Sequence, residues 1–370
     1  MARPDPQRTG CRRVRPGGGG RSLGWAGRSA ACVEGSFVSD VAIIAIGRNE
    51  GERLKACLRS LPPEAPRVYV DSGSTDGSVA FAEAQGVTVV TLPPATRFTA
   101  ALARNAGLAT LADRDVAFVQ MVDGDCELDA GWLDRAAATL RADPGLAVVF
   151  GRRRERFPEA SAYNRMCDDE WDVPVGEAMS CGGDALFRRA ALDQAGGYNP
   201  DYIAGEEPDL CQRLRERGWR IRRIDAEMTR HDAAMTRFGQ WWRRTERSGH
   251  AFAELAWRHG RAGDPHWRRE VRSTIAWGVA LPLLAVAAAV LVGWWAGALL
   301  LLLYPVQIVR IARRKAREPG VSPAFARSLA VHLVVGKFAQ AKGAARFHWR
   351  RLSGRRGALI EYKGPEARQA

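Results

Sequence analysis

The chain has 370 residues, a formal net charge of +14 and seven cysteines. The positive charge is concentrated at the ends: residues 1–36 hold seven arginines against two acidic residues, and residues 310–370 hold fifteen lysines and arginines against three glutamates. The central part is therefore slightly acidic, which argues against nucleic acid as its partner. The cysteines are odd in number and include no Cys-x-x-Cys pair, which favours a reducing compartment over a disulfide framework or a zinc site.

The first 36 residues are rich in Arg, Gly and Pro and include the run Gly17–Gly20. This composition predicts a disordered basic tail. The segment lacks the apolar centre of a signal peptide.

Short apolar runs alternate with longer mixed segments across residues 37–260. This alternation predicts βαβ units and an α/β domain with a mostly parallel sheet. The predicted strands are Val41–Ile46, Val68–Val70, Val87–Thr91, Val116–Val122 and Leu146–Phe150. The predicted helices are Glu52–Ser60, Gly77–Gln85, Thr99–Leu111, Gly131–Arg141, Pro208–Arg217 and Gln240–Arg258.

The tripeptide Asp123-Gly124-Asp125 directly follows the apolar run Val116–Val122. Ligands of open α/β sheets bind at the carboxyl ends of the strands, and carboxylate oxygens suit Mg²⁺ or Mn²⁺. An isolated Asp-x-Asp is more often a solvated turn. Two earlier strands also run into polar segments, Gly47–Glu50 and Asp71–Gly77, so the sequence predicts one polar cleft at this edge.

The series GRNE, VDSGSTDGS, ARNAGL and VDGD resembles the nucleotide-binding half of family 2 glycosyltransferases, which have the GT-A (Rossmann-like) fold. The resemblance continues through Ser180–Arg189, Gly196–Tyr198, Gly205–Gly218 and His231 and covers roughly residues 40–260. It implies a nucleotide-diphosphate-sugar donor, Mg²⁺ or Mn²⁺ as the cofactor, and donor-binding roles for Asn49, Glu50, Asp71, Arg104 and Asp123.

The resemblance also implies that Asp125, with Asp123 and His231, holds the metal. Each of these assignments has a structural alternative. Asp71 and Asp76 would stabilise a turn, with Asp76 capping the next helix, Arg104 would be solvated or ion-paired, and His231 would be structural.

Glu206 and Glu207 are the candidates for the general base that deprotonates the acceptor hydroxyl. The family usually has Glu-Asp here, so the choice between Glu206 and Glu207 stays open, with Glu207 at the family's Asp position. The structural alternative is a pair of acidic residues favoured by a helix dipole.

The residues predicted to bind the acceptor are Gly183, Asp184, Trp241 and Trp242. For the tryptophans, which could stack on a sugar or lipid, amphipathic packing is the alternative and the simpler account. The segment Gln240–Arg244 departs from the Gln-x-x-Arg-Trp motif of processive members. This difference argues against a polymer-extruding synthase.

Ser273–Val309 contains no charged residue over 37 positions, which is too long for one membrane span and just sufficient for two. We expect a transmembrane helical hairpin within 261–309 that turns at Gly293–Gly297. The alternatives are one long tilted span or a re-entrant segment. Basic flanks on both sides predict cytoplasmic ends at the inner or plasma membrane. In the basic stretch 310–370, Ala324–Lys337 is predicted to be an amphipathic helix on the membrane surface.

These features predict an inverting, metal-dependent glycosyltransferase at the cytoplasmic membrane face, acting on a lipid-linked or saccharide acceptor. The alternatives are a sugar-phosphate nucleotidyltransferase and a catalytically silent membrane scaffold with the GT-A fold. The former is disfavoured because GRNEGERL, after the first strand, is not a glycine-rich loop with a basic residue.

Overall fold

The computed structural model describes residues 40–93 and 98–354. The predicted tail at 1–36 lies outside the described residues, as do positions 355–370 of the basic C-terminal stretch. The described residues contain nine strands that form one sheet: β1 (Val41–Gly47), β2 (Arg67–Asp71), β3 (Thr88–Thr91), β4 (Phe118–Asp123), β5 (Cys126–Leu128), β6 (Leu146–Glu155), β7 (Gly176–Glu177), β8 (Ala185–Arg188) and β9 (Arg220–His231).

The first half of the sheet is parallel and has the order β3-β2-β1-β4. The chain crosses between these strands through three helices, α1 (Glu52–Ser60), α2 (Ser78–Ala84) and α3 (Ala100–Ala109). The first six residues of β1 are all buried, as expected for a strand covered on both faces. The predicted βαβ units are confirmed in this half of the sheet.

The strand register places two aspartates beside the end of β1. Gly47 lies opposite Asp71 of β2, and Ile46 lies opposite Asp123 of β4. Neighbouring strands are about 4.8 Å apart, so these two carboxylates flank the carboxyl end of a single strand.

The second half of the sheet is mixed. β8 runs antiparallel between β4 and β6, and β9 runs parallel to β6 while pairing antiparallel with β5 and β7. Four helices belong to this half: α4 (Trp132–Ala142), α5 (Ala162–Glu170), α6 (Arg189–Ala195) and α7 (Glu206–Glu216). The β5–β9 register sets Cys126 opposite His231, which brings His231 next to Asp125.

Six helices follow the sheet: α8 (Phe238–His259), α9 (Pro265–Ile275), α10 (Leu281–Leu291), α11 (Trp294–Leu301), α12 (Leu303–Lys315) and α13 (Pro323–Leu352). A π-helical segment at Ala276–Ala280 joins α9 to α10. Two continuous helical stretches, Pro265–Leu291 and Trp294–Lys315, are long and apolar enough to be candidate membrane spans.

The turn of the hairpin is shorter than predicted. It lies at Val292 and Gly293, whose φ is +136°. Trp294 already begins α11, and Gly297 lies within this helix against the backbone of Ala285 in α10. The glycine predicted to end the turn instead lets the two helices approach closely.

Helix α13 differs from the predicted surface helix at Ala324–Lys337. It has 30 residues and packs along α8. A Cβ atom on Gly343 would overlap the carbonyl oxygen of Glu246, and one on Gly249 would overlap the backbone of Gln340. Its buried residues, including Phe325, Leu329, Val334 and Phe347, pack against protein, unlike those of the predicted surface helix.

The α8–α13 crossing generates a stability prediction. We expect Gly343→Ala to lower the stability of the full-length protein by about 2 kcal/mol, because overpacking forces the helix backbones apart. The same substitution at Gly239 of α8, where a Cβ atom would approach only the end of the Arg243 side chain, is expected to be neutral or slightly stabilising. Thermal unfolding in detergent measures the difference. Equal melting temperatures for the two variants would contradict the close crossing.

Candidate active site

The loop after β1 is joined to the loop after β2 by hydrogen bonds. Asn49 adopts a left-handed conformation with φ +54°, which Asn tolerates better than most residues. Its side-chain oxygen accepts a hydrogen bond from the Thr75 amide at 2.8 Å, and its own amide donates to the Ser74 hydroxyl at 2.9 Å. Asn49 therefore fixes the two loops relative to each other.

Asp71 is buried and its carboxylate shapes the loop that follows it. One oxygen accepts a hydrogen bond from the Tyr69 hydroxyl, and the other accepts from the amides of Gly73 and Ser74, each at 2.9 Å. These contacts support the turn-stabilising alternative, and the donor-binding role of Asp71 stays a prediction. Asp76 accepts from the Ser78 amide at 3.1 Å just before α2, but the N-cap residue of this helix is Gly77 rather than Asp76.

Glu50, the other predicted donor-binding residue of the first loop, pairs with Arg53 of α1 at 2.6 Å. The Arg53 guanidinium also donates to the carbonyl oxygen of Asp232. Glu50 thus helps to join the β1 end to the segment after β9.

Arg104 of α3 links the acidic tripeptide to the acidic pair. Its side chain is only 2% exposed, and its guanidinium lies 2.8 Å from Asp123, 2.7 Å from Glu207 and 3.3 Å from Glu206. The guanidinium also lies over the ring of Tyr198. The ion-paired alternative for Arg104 therefore describes this conformation, and its partners are the predicted donor-binding and catalytic residues.

Glu206 and Glu207 begin α7, directly after Gly205, which has φ +91°. Burial, followed by the neighbouring charge of Glu206, raises the pKa of Glu207 to about 7, while Arg104 opposes the shift. A carboxylate that titrates near neutral pH can accept a proton from a hydroxyl and release it again. This property fits the predicted role of a general base.

Arg153 of β6 is a second cation at the site, and sequence reasoning missed it. Its guanidinium lies 2.9 Å from Asp123 and 2.8 Å from Asp184, and it lies over the ring of Trp171. A signal was present, since Arg152–Arg154 are cations inside a long strand. Only the pairing of β6 with β8 and β9, however, shows which of the three turns towards Asp123.

Gly183 and Asp184, which are predicted to contact the acceptor, both lie next to Asp123. Asp184 is buried, and its carboxylate accepts hydrogen bonds from the Asp123 amide at 2.9 Å and from the Thr229 hydroxyl at 2.8 Å. A Cβ atom on Gly183 would lie 2.6 Å from both Arg104 and Asp123. Both residues position Asp123 in this conformation, and acceptor contact by them stays a prediction.

Asp125, Cys126 and His231 form a buried group whose possible ligand atoms all lie within 4.8 Å of one another. The Nε2 atom of His231 is 3.2 Å from Asp125, and its Nδ1 atom is 3.5 Å from Glu155. Burial lowers the pKa of His231, which favours the neutral imidazole that can bind a metal.

The chemistry of this group fits a divalent cation held by oxygen and nitrogen ligands. Carboxylate and imidazole together suit Mn²⁺, and carboxylates alone suit Mg²⁺. Burial raises the pKa of the Cys126 thiol, and in this conformation its sulfur lies 3.6 Å from the Asp125 carboxylate. Asp125 and His231 are therefore the oxygen and nitrogen ligands of this group, and Asp123, Cys126 and Asp184 form a second, adjoining set of possible ligand atoms within 4.8 Å of one another.

Trp241 packs in a hydrophobic cluster with Cys167, Ala233 and Met235, and it is 7% exposed. This arrangement supports the packing alternative for Trp241. Trp242 is less buried and lies against Phe238, with 5.7 Å between the ring centroids. A cavity of about 110 Å³ separates the cluster from the acidic tripeptide and is lined by Asp123, Arg153, Trp171, His231 and Arg244 among others.

Comparisons with known proteins agree with this architecture. The family model for glycosyl transferase family 2 matches residues 42–196. A pre-mycofactocin glycosyltransferase from Mycobacterium tuberculosis is 30% identical over 170 residues, and the match covers 43% of this chain and 35% of that protein. The chain thus spans about a third of the length of this relative.

An uncharacterized glycosyltransferase from Mycobacterium bovis is 32% identical over 184 residues, which is 48% of this chain and 79% of the relative. Among solved structures, the mannosyltransferase from Pyrobaculum calidifontis in complex with GDP-Man and Mn²⁺ superposes with a TM-score of 0.52 at 19% identity, covering 84% of this chain and 88% of that one. The predicted fold is confirmed: the chain belongs to glycosyltransferase family 2 and contains a GT-A domain.

Proposed function

We propose that the protein is an inverting, metal-dependent glycosyltransferase that transfers a sugar from a nucleotide-diphosphate sugar to a hydroxyl group. The main support is the contact of Arg104 with both Asp123 and Glu207. This buried guanidinium joins Asp123, the proposed donor-binding residue, to the candidate base. In an inverting displacement the acceptor oxygen attacks the anomeric carbon from the side opposite the diphosphate, so the base that takes its proton must lie in the same site as the donor-binding residues.

In this proposal Asp125 and His231, with Asp123, hold Mg²⁺ or Mn²⁺. A bound divalent cation offsets the charge that develops on the leaving diphosphate. The structural neighbour from Pyrobaculum calidifontis was solved with GDP-Man and Mn²⁺, which makes a nucleotide sugar and Mn²⁺ the first donor and metal to test. Asn49, Asp71 and Glu50 shape the loops that would face the nucleotide.

Glu207 is proposed as the base in preference to Glu206. Its carboxylate is the closer of the two to Arg104, and its pKa of about 7 allows proton uptake at neutral pH. Glu206 contributes the negative charge that helps to raise this pKa. Glu207 would accept the proton of the acceptor hydroxyl, and Glu206 would raise the pKa of Glu207.

We further propose a layout with a catalytic domain at 37–260, membrane-spanning helices within 261–309 and a basic membrane-proximal region at 310–370. The hairpin helices carry exposed leucines, valines and tryptophans, including Leu291 (83%) and Trp294 (80%), and such a surface fits lipid. Basic flanks favour a cytoplasmic catalytic domain at the inner or plasma membrane. An acceptor that is lipid-linked, or a saccharide held near the bilayer, follows from this position.

A metal-site variant tests the proposed activity. Full-length protein with Mn²⁺ and a panel of nucleotide sugars is expected to release nucleoside diphosphate from at least one donor. We expect Asp125→Asn to lower this rate by at least about 100-fold, because the neutral amide is a weak metal ligand of nearly the same shape. Asp113→Asn, at an exposed position outside the site, serves as the matched control.

Three results would count against this assignment. Full turnover by Asp125→Asn would remove the metal role from Asp125. Release of inorganic diphosphate from a sugar phosphate and a nucleoside triphosphate, without hydrolysis of any nucleotide sugar, would support the nucleotidyltransferase alternative. Inactivity of the correctly folded wild-type chain with every donor would support the silent scaffold.

The base assignment predicts a pH dependence. Glu207 must be ionised to accept a proton, so the rate of donor hydrolysis is expected to fall as the pH is lowered through about 7. Glu207→Gln should reduce kcat by roughly 10²- to 10⁴-fold, with KM for the donor little changed. Glu206→Gln should retain more activity and move the acidic limb to lower pH, since one repulsive charge is removed.

The control is Glu83→Gln, which makes the same change at an exposed position of α2. It should leave both kcat and the pH profile unchanged. A larger loss in Glu206→Gln than in Glu207→Gln would exchange the two roles.

A further inference from the structure

Helix α12 has two faces of different character. Tyr304, Ile308, Ile311, Ala312 and Lys315 are partly or fully buried and recur at helical spacing on the side that packs against the rest of the protein, mainly α13. The opposite face is exposed over its whole length. This second face has no covering element in the described residues.

The exposed face changes from apolar to cationic along the helix. It lines an open groove of about 660 Å³ with Pro305, Val306 and Val309, followed by Arg310, Arg313, Arg314 and Arg317. Four arginines thus follow directly on an apolar strip, and the groove contains no carboxylate among its described lining residues. An amphiphile would match this surface, with its apolar chain against the valines and its anionic head against the arginines.

The four arginines differ from the neighbouring Lys315 in that only Lys315 forms ion pairs within the described residues. Lys315 lies 2.6 Å from Asp169 of α5 and 2.5 Å from Glu318, so its charge holds α12 to the catalytic domain. Within 40–93 and 98–354, the four groove arginines have neither an ion pair nor a side-chain hydrogen bond. Their guanidinium groups are available to an external anion.

The depth of the arginines matches lipid headgroups. Arg310 is the first charged residue after the uncharged run that starts at Ser273, so it marks the end of the apolar layer. Arg310, Arg313 and Arg314 span four residues of α12, a rise of about 6 Å, and Arg317 lies in the turn just after the helix. The headgroup layer on each side of a bilayer is roughly 5–8 Å thick, which puts the guanidinium groups at the level of the phosphates.

We propose that the outward face of α12 is a binding site for an anionic phospholipid, whose phosphate is held by Arg310, Arg313, Arg314 and Arg317. The proximal part of an acyl chain lies along Val306 and Val309. Guanidinium forks bind phosphate oxygens in pairs, so phosphate is the matching anion. This inference rests on the membrane placement in the proposed function and adds a defined lipid site to it.

The test compares three forms of the full-length protein in neutral detergent micelles that contain phosphatidylglycerol or phosphatidylcholine. They are the wild type, the groove variant R310Q/R313Q/R314Q/R317Q, and the control R59Q/R114Q/R135Q/R217Q, which removes the same charge from exposed positions of the catalytic domain. Native mass spectrometry counts the lipid retained on each protein. Carbonate extraction of cell membranes first establishes whether the wild type is inserted.

We expect the wild type and the control to retain phosphatidylglycerol in preference to phosphatidylcholine. The groove variant should lose this preference, with an affinity loss of about fivefold for each arginine. Equal retention by the groove variant and the control would overturn the site. Displacement of the lipid by millimolar inorganic phosphate would also overturn it, since the anion recognised would then be a soluble phosphate.

Two outcomes for the wild type distinguish the membrane placement from the lipid site. If carbonate extracts the wild-type protein from the membrane, both the membrane placement and the lipid site are contradicted. A wild type that stays inserted but retains both lipids equally would contradict the lipid site alone.

Discussion

The candidate site depends on one buried guanidinium. Arg104 is inaccessible to solvent on nearly its whole surface and contacts three carboxylates from two elements, Asp123 at the end of β4 and Glu206 and Glu207 at the start of α7. A charge buried in this way is tolerated only if it is paired and hydrogen-bonded. The largely buried Glu206 and Glu207 are likewise stabilised by the guanidinium, whereas Asp123 is partly exposed. The ion pairs of Arg104 therefore set the distance between the carboxyl end of β4 and the acidic pair at the start of α7.

Arg153 completes this arrangement from the other side. It contacts the second oxygen of Asp123 and the buried Asp184, which in turn accepts a hydrogen bond from the Asp123 amide. Asp123 is thus held by two arginines and by its own backbone. Such support keeps a carboxylate in one rotamer, which a site that binds a charged donor requires.

The sequence predicted the parts of this site that depend on local pattern. Five strands, the helices between them and the polar strand ends follow from runs such as Val41–Ile46 and Val116–Val122, whose composition is dictated by burial on both faces. The pairing of Asp123 with Arg153, and of Asp125 with His231, could not be predicted in this way. These contacts depend on the antiparallel strands β5 and β8 and on the register of β9, where partners are up to about a hundred residues apart in the chain.

The packing of helix α13 was also beyond prediction from local pattern, since an apolar helix face can cover a membrane surface or a protein surface. In the structure, Gly249 and Gly343 lie at the crossing of α8 and α13 and allow the two backbones to touch.

The most direct test of the central claim is the pH profile of donor hydrolysis in Arg104 variants. The positive charge of Arg104 opposes the rise in the pKa of Glu207. Arg104→Gln should therefore move the acidic limb from about pH 7 to a higher pH by about one unit or more, while Arg104→Lys, which keeps the charge, should leave it nearly in place. An acidic limb at the same pH in the wild type and in folded Arg104→Gln would contradict the account, because Arg104 would then not connect the donor side of the site to its base.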